Sequence, residues 1–227
     1  MLFKKIKFIL IILVFYQTPV HSKSLSFSDF RSTTLSKYFS GIVAFENKDN
    51  SKALKFFNSS KILIYKHDPY LKKYIYSLVL ENKVQQAINE IKKNKDKNRS
   101  NFFDAHLLLT LNNLKKNNLD KAYANLVNIN EFVQQDRFNL AIIESLKQYI
   151  FVFKEKKFPN NRKNLGKLSI ISETFQKCYL GDQNTDSYFS KLFNDPESDY
   201  SRYIYFYLSY LVENNRYDDV KKITNKI

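Results

Sequence analysis

KDNSKALKFF (residues 48–57), NKVQQAINEI (82–91) and NNLDKAYANL (117–126) superimpose on a small residue, Ala53, Ala87 or Ala122, spaced 34 and 35 positions apart. Four residues after each alanine stands a large apolar side chain, Phe57, Ile91 or Leu126, one helical turn on and on the same face. A stretch near the end, NRYDDVKKIT (215–224), places Val220 in the alanine position. The 98 residues between Ala122 and Val220 hold about three further periods. A unit near 187 is expected where Gly181-Asp182 makes a turn and Ser187 supplies the small residue ahead of Phe189 and Leu192. A unit near 155 meets Phe158-Pro159-Asn160-Asn161, which reads as a loop, so one repeat is expected to be degenerate.

Each slot lies early in a second helix, after a polar turn and a first helix. The first helices are expected over residues 35–46, 70–80, 102–114 and 200–212, two of them entered through Pro69 and Pro196. Glycine would suit the turn, because it accepts positive φ; here Lys48, Asn82, Asn117 and Asn215 stand there, and asparagine is the next most tolerant residue. The unit is a repeated helical hairpin. A last helix from about Tyr217 is still running at the chain's last residue, with Ile223 and Ile227 on one face; a covering subunit or partner, or continuation in a longer protein, is expected there.

With Gly41, Ala44, Ala53, Phe57 and Pro69 at its best-matched positions, this hairpin resembles the tetratricopeptide repeat, whose second helix opens on a small residue so that two helices approach closely. Gly41 has no glycine counterpart in the other units, where Ile75, Thr110 and Leu208 stand, and the chain has no tryptophan. Across about residues 35–227 it is similar to the N-terminal portion of exported bacterial proteins of that family with many more units. The resemblance implies an all-α, right-handed solenoid of about five to six hairpins: three clear ones over 35–136, then degenerate and weaker ones over 137–227, incomplete at the C-terminus. It also implies a concave groove, lined by the first helices, that holds an extended peptide or a partner helix. The family's groove-facing positions fall on Tyr38, Ile42, Phe45, Lys72, Tyr76, Leu107, Leu111, Lys115, Tyr205 and Ser209.

The whole chain has 227 residues and a hydrophobic fraction of 44%, enough for one compact domain or a short repeat array. Three glycines argue against a turn-dense sandwich, a phosphate-cradling loop or a dinucleotide fingerprint. Residues 1–22 read as a secretory signal: Lys4, Lys5 and Lys7 precede an apolar run over 8–16 that is short for a bilayer span, and Pro19, Val20 and Ser22 lead to a cut after Ser22. An uncleaved membrane anchor is the alternative. Residues 23–34 would be a linker. Removing three lysines and no acids from 37 basic and 22 acidic side chains leaves 34 against 22, a formal +12. Export to the periplasm of a Gram-negative envelope is the expected localisation.

Little of the chain points to catalysis. The pair His67-Asp68 reads as a surface histidine beside a helix-capping aspartate, and His106 as a partly buried packing residue. Cys178 reads as a structural cysteine on an apolar face, in a chain whose single cysteine excludes a disulfide framework. Asp182, Asp186, Asp195, Glu197 and Asp199 miss the calcium-loop spacing; Asp186, Asp195 and Asp199 read as helix starts. No metal, cofactor or catalytic residue is expected. Residues 203, 206, 207 and 210 of an aromatic run share one helical face, and Tyr205 falls off it.

These readings converge on a non-catalytic adaptor that binds a protein partner in the envelope. Two alternatives stand beside it. One is an accessory protein gripping an anionic envelope polymer through Lys92, Lys93, Lys95, Lys97 and Arg99, and through Lys154, Lys156, Lys157, Arg162, Lys163 and Lys167. The other is the helical domain of a longer envelope enzyme. Nucleic acid is not an expected partner, since no recognition motif is present.

Overall fold

A computed structural model describes residues 31–95, 99–129, 133, 136–194, 199 and 201–225. The expected signal over 1–22, and the readings that involve Lys97, Asp195, Pro196, Glu197, Tyr200 and Ile227, lie outside the described residues. The described chain is all-helical, with eleven α-helices and no strand among those residues. It divides into two compact units, one ending at Ala87 and the other beginning at Ile88.

In the first unit α1 (Ser32–Glu46) packs on α2 (Asn50–Ser59), and α2 packs on α3 (Asp68–Leu80). A 3-10 segment (Lys61–Tyr65), not expected from periodicity, joins α2 to α3 and buries Leu63 and Ile64. Helix α1 stops because Lys48 turns left-handed, with φ 61°. The Lys48 N–H then donates to the Phe45 carbonyl and the Asp49 N–H to the Ala44 carbonyl, at 3.0 and 2.9 Å. This pair of bonds satisfies carbonyls that a helix end otherwise leaves open. Asp49 next accepts from the Lys52 N–H at 3.2 Å and starts α2; the Lys52 ammonium at 2.8 Å, and then that N–H, hold its carboxyl below the usual range. Three residues therefore both stop one helix and begin the next.

The same construction recurs after α3, where Asn82 (φ 58°) reverses the chain into α4 (Val84–Lys93). Helix α4 carries the division between the units. In the second unit Asn117 (φ 55°) joins α5 (Phe103–Lys115) to α6 (Leu119–Ile129). Gly181 (φ 66°) joins α8 (Lys167–Tyr179) to α9 (Thr185–Phe193), and Asn215 (φ 59°) joins α10 (Ile204–Glu213) to α11 (Tyr217–Thr224). At all five turns the left-handed residue donates three residues back and its successor five residues back, over 2.8–3.1 Å.

The small slots lie inside. Ala53, Ala87 and Ala122 are fully enclosed, as are Phe57, Ile91 and Leu126 one turn on. Where α5, α6 and α7 (Arg137–Glu155) meet, Ala122, Leu126, Ile129, Val133, Ile143 and Ile150 form one core cluster, with Leu107 and Leu114 packed against it. Val220 is only half-buried, and no residue of α11 is buried. Ser187 does not fill the slot of its hairpin: it is exposed, and Thr185, one turn before Phe189, is enclosed in its place. The reason is local. Asp182 accepts from the Asn184 N–H and its carbonyl receives the Thr185 hydroxyl, which starts α9 early. Thr185 stands 35 residues before Val220, close to the stride of the first three units.

Helix α7 is not followed by an antiparallel hairpin helix. After Lys156 turns left-handed (φ 53°), residues 156–166 run without helix among the described residues, and α8 follows. The Ser145 and Ser172 hydroxyls lie 3.1 Å apart and the Phe153 and Tyr179 rings 4.8 Å apart, so α7 and α8 run in the same direction. The segment between them returns along both as a strap. Lys156 reaches the Tyr179 hydroxyl, Lys177 Nζ lies 4.5 Å from the Phe158 ring, and Arg162 bridges to Glu173 at 2.9 Å. Among the described residues no helix is long and apolar enough to cross a membrane.

Candidate functional site

The candidate groove positions separate into two groups by unit. In the first, Phe45 on α1 and Tyr76 on α3 stack with ring centroids 6.4 Å apart, both half-buried. Lys73 Nζ lies 4.5 Å over the Phe45 ring and Lys72 Nζ 5.7 Å over Tyr76. Lys73 is also held by Glu46 at 2.9 Å. The result is an aromatic pair edged by two ammonium groups, with half-buried Ile42 one turn before Phe45. Such a surface suits an apolar side chain beside a carboxylate, through ring packing and charge. Tyr38 departs from the expectation. It is only 5% exposed, packed among Phe57, Tyr70 and His67 at ring distances of 5.1–6.1 Å. Burial pushes its hydroxyl pKa up. Its place is in the core, because Gly41 one turn on has no side chain and lets the Phe57 ring come in against α1.

In the second unit Leu107 and Leu111 lie on one face of α5, Leu107 half-buried against the core and Leu111 exposed, with Lys115 exposed at the end of that helix. Tyr205 on α10 is 72% exposed, and half-buried Ser209 donates its hydroxyl to the Tyr205 carbonyl at 3.0 Å. Tyr203, just before α10, and the other aromatics of that helix meet rings of α8 and α9: Phe175 faces Tyr203 and Phe206, and Phe189 faces Tyr207 and Tyr210, at 4.6–6.3 Å. Among the described rings Tyr205 meets Phe206. The Tyr207 hydroxyl donates to Asp186 at 2.8 Å, and the same carboxylate receives Arg216 Nη1 at 2.6 Å, tying α9, α10 and the start of α11 together. Tyr207 is pushed far up in pKa by burial first and by Asp186 second.

The side chains with chemical potential are engaged in packing. His67 is half-buried and shares a 3.0 Å hydrogen bond with the Tyr38 hydroxyl, so it is not a free surface group. It takes the cap position of α3, and Asp68 falls inside the first turn with Pro69. His106 is buried and bonded to Asn101 at 2.7 Å. Cys178 is half-buried, and burial, then the charge of Glu213, pushes its thiol pKa up, away from the reactive thiolate. Asp199 accepts from the Ser201 N–H and starts the 3-10 segment Ser201–Tyr203. Among the described residues no three His, Cys, Asp or Glu side chains gather in a way that could hold a metal ion.

Three of the six basic side chains around the degenerate unit pair with carboxylates. Lys154 meets Asp120 at 2.8 Å, Arg162 meets Glu173, and Lys163 meets Glu144 at 3.5 Å. Lys92, Lys93 and Lys95 are exposed at the end of α4. No family model, curated protein or solved structure matches the chain.

Proposed function

We propose that the chain is a non-catalytic scaffold, a right-handed solenoid of tetratricopeptide-like hairpins, exported to the bacterial envelope to bind a protein partner. Support for the repeat reading comes from one turn made five times with the same pair of hydrogen bonds, and from three enclosed alanines at a stride of 34 and 35. The observation that carries the binding reading is the Phe45–Tyr76 pair edged by Lys72 and Lys73. It combines the rigid aromatic anchor and the cation that a peptide or helix with apolar and acidic side chains requires. The engagement of His67, His106 and Cys178 in packing accords with a role without catalysis.

The test is capture of partners from envelope extract on the immobilised chain, compared with the Lys72→Ala/Tyr76→Ala double variant. Protein capture that the double variant loses, while its melt is unchanged, supports the reading. Capture indifferent to both substitutions contradicts it. Binding that instead collapses between low and high salt in wild type and variant alike would indicate exposed lysines and an anionic polymer.

A further inference from the structure

Replacing a helix by the strap leaves a hollow in the second unit. Tyr123 on α6 and Phe151 on α7 are large apolar side chains left 49% and 42% exposed, 28 positions apart in sequence and brought together there. They share two adjoining recesses. One, about 220 Å³, is walled by Leu119, Tyr123, Ile150 and Phe151. The other, about 440 Å³, lies between the same two rings and the strap, with Gln148, Asn160 and Asn161 in its lining. Along α7 the lining runs from Glu144 to Glu155, roughly 16 Å at the rise of an α-helix, which matches about five extended residues.

Three features define what fits. The four cations along the trough, Lys147, Lys154, Arg162 and Lys163, pair with three carboxylates, Glu144 being shared by Lys147 and Lys163, and Glu155 in the lining makes a fourth, so the site offers little net charge to a charged ligand. The smaller recess sets Leu119, Tyr123 and Phe151 around buried Ile150, with Asp120, Lys147, Lys154 and Glu155 completing its lining, and has room for a single side chain. The amides of Gln148, Asn160 and Asn161 make no hydrogen bond with any described residue, and an amide offers both a donor and an acceptor, as a peptide group does.

We propose that this trough binds an extended, uncharged peptide segment, seating one aromatic or branched aliphatic side chain between Tyr123 and Phe151 while its main chain pairs with the strap amides. The inference deepens the reading of the chain as a protein-binding scaffold and rests on it, but it uses a different surface from the Phe45–Tyr76 pair. A sugar chain also stacks on rings and bonds to amides, yet its largest apolar side group is the methyl of an N-acetyl, too small to fill a recess of about 220 Å³.

The experiment is an NMR titration of the full ¹⁵N-labelled chain with the blocked pentapeptide Gly-Ser-Phe-Ser-Gly, its analogue with Glu in place of Phe, and chitotriose. Saturable shifts centred on the amides of Tyr123, Gln148, Phe151, Asn160 and Asn161 are expected with the Phe peptide alone. Phe151→Ala and, independently, the strap variant Asn161→Ala should each weaken binding, the first by about tenfold, with the rest of the spectrum intact. Absence of shifts at these residues, equal shifts from the Glu peptide, or shifts from chitotriose in place of the peptide would overturn the proposal. The Lys72→Ala/Tyr76→Ala variant should bind the peptide as wild type does. If the trough fails while that variant still abolishes partner capture, only this inference falls and the scaffold reading stands.

Discussion

Replacing Lys48 by glycine is expected to stabilise the protein, whereas the same change at Lys37 is expected to destabilise it. Both lysines are exposed, and neither side chain makes a hydrogen bond or ion pair with a described residue. Only the backbone differs: Lys48 is left-handed with φ 61°, and Lys37 lies inside α1. A side chain in the left-handed region costs roughly 1–2 kcal/mol, which glycine relieves. Glycine's extra unfolded-state freedom takes back roughly 0.5–1 kcal/mol. The net for Lys48→Gly is a gain of about 0.5–1 kcal/mol, worth about 2–4 °C per kcal/mol in a chain of this size. At Lys37 there is no strain to relieve, and glycine costs about 0.5–1 kcal/mol in a helix interior. Asn82→Gly and Asn117→Gly should gain less than Lys48→Gly, because asparagine already tolerates the conformation. Urea denaturation of the variants reads the differences directly. A loss at Lys48 equal to that at Lys37 would refute the hairpin turn as described.

Gly41→Ala should destabilise the first unit by about 1–3 kcal/mol, because an added Cβ would stand 2.9 Å from Cε1 of Phe57, a ring that is fully enclosed; a thermal melt checks it, and an unchanged melt contradicts the close approach. Ala87→Leu should cost a similar 1–3 kcal/mol by overpacking a fully enclosed slot, and a neutral effect in the same melt would remove the register. Asp219 has its carboxyl pKa lowered from 3.8 by Arg216 first and Lys222 second. Its contribution is therefore present above the ordinary carboxylate range and lost as pH falls through the lower folded value. The protection of α11 amides, corrected for the intrinsic pH dependence of exchange, should fall over that acid window in wild type and depend less on pH in Arg216→Ala; protection flat with pH in wild type would contradict it.

The hairpins were legible because two local signals coincide: a residue able to turn left-handed, and four or five positions later a small residue followed by a large one. At Asn82 and Asn117 both signals stand in the sequence, Lys48 has only the second and Asn215, followed by Val220, only the first, and the turns form at all four. At Gly181, too, only the first stands. There Asp182 draws α9 to an early start, so the slot falls on Thr185, a residue that composition alone does not single out against Ser187. The 3-10 segment that buries Leu63 and Ile64 is not legible, because five residues are too few to show a period. Within the candidate groove, the approach of Phe45 to Tyr76 follows from their positions on successive first helices. The enclosure of Tyr38 does not, since it depends on how far the Phe57 ring enters beside Gly41. The trough was hidden for a further reason. Its walls come from α6, α7 and a strap whose return path is set by cation–ring and ion-pair contacts, and no spacing rule encodes these.

The most direct measurement is of φ at Lys48, Asn82, Asn117 and Asn215, from NMR backbone shifts and the strength of the intraresidue amide-to-α proton contact. The account predicts positive φ at all four, with strong contacts there and helical shifts on both sides. Negative φ at these residues, or continuous helix through them, would contradict the repeated hairpin on which the scaffold reading rests.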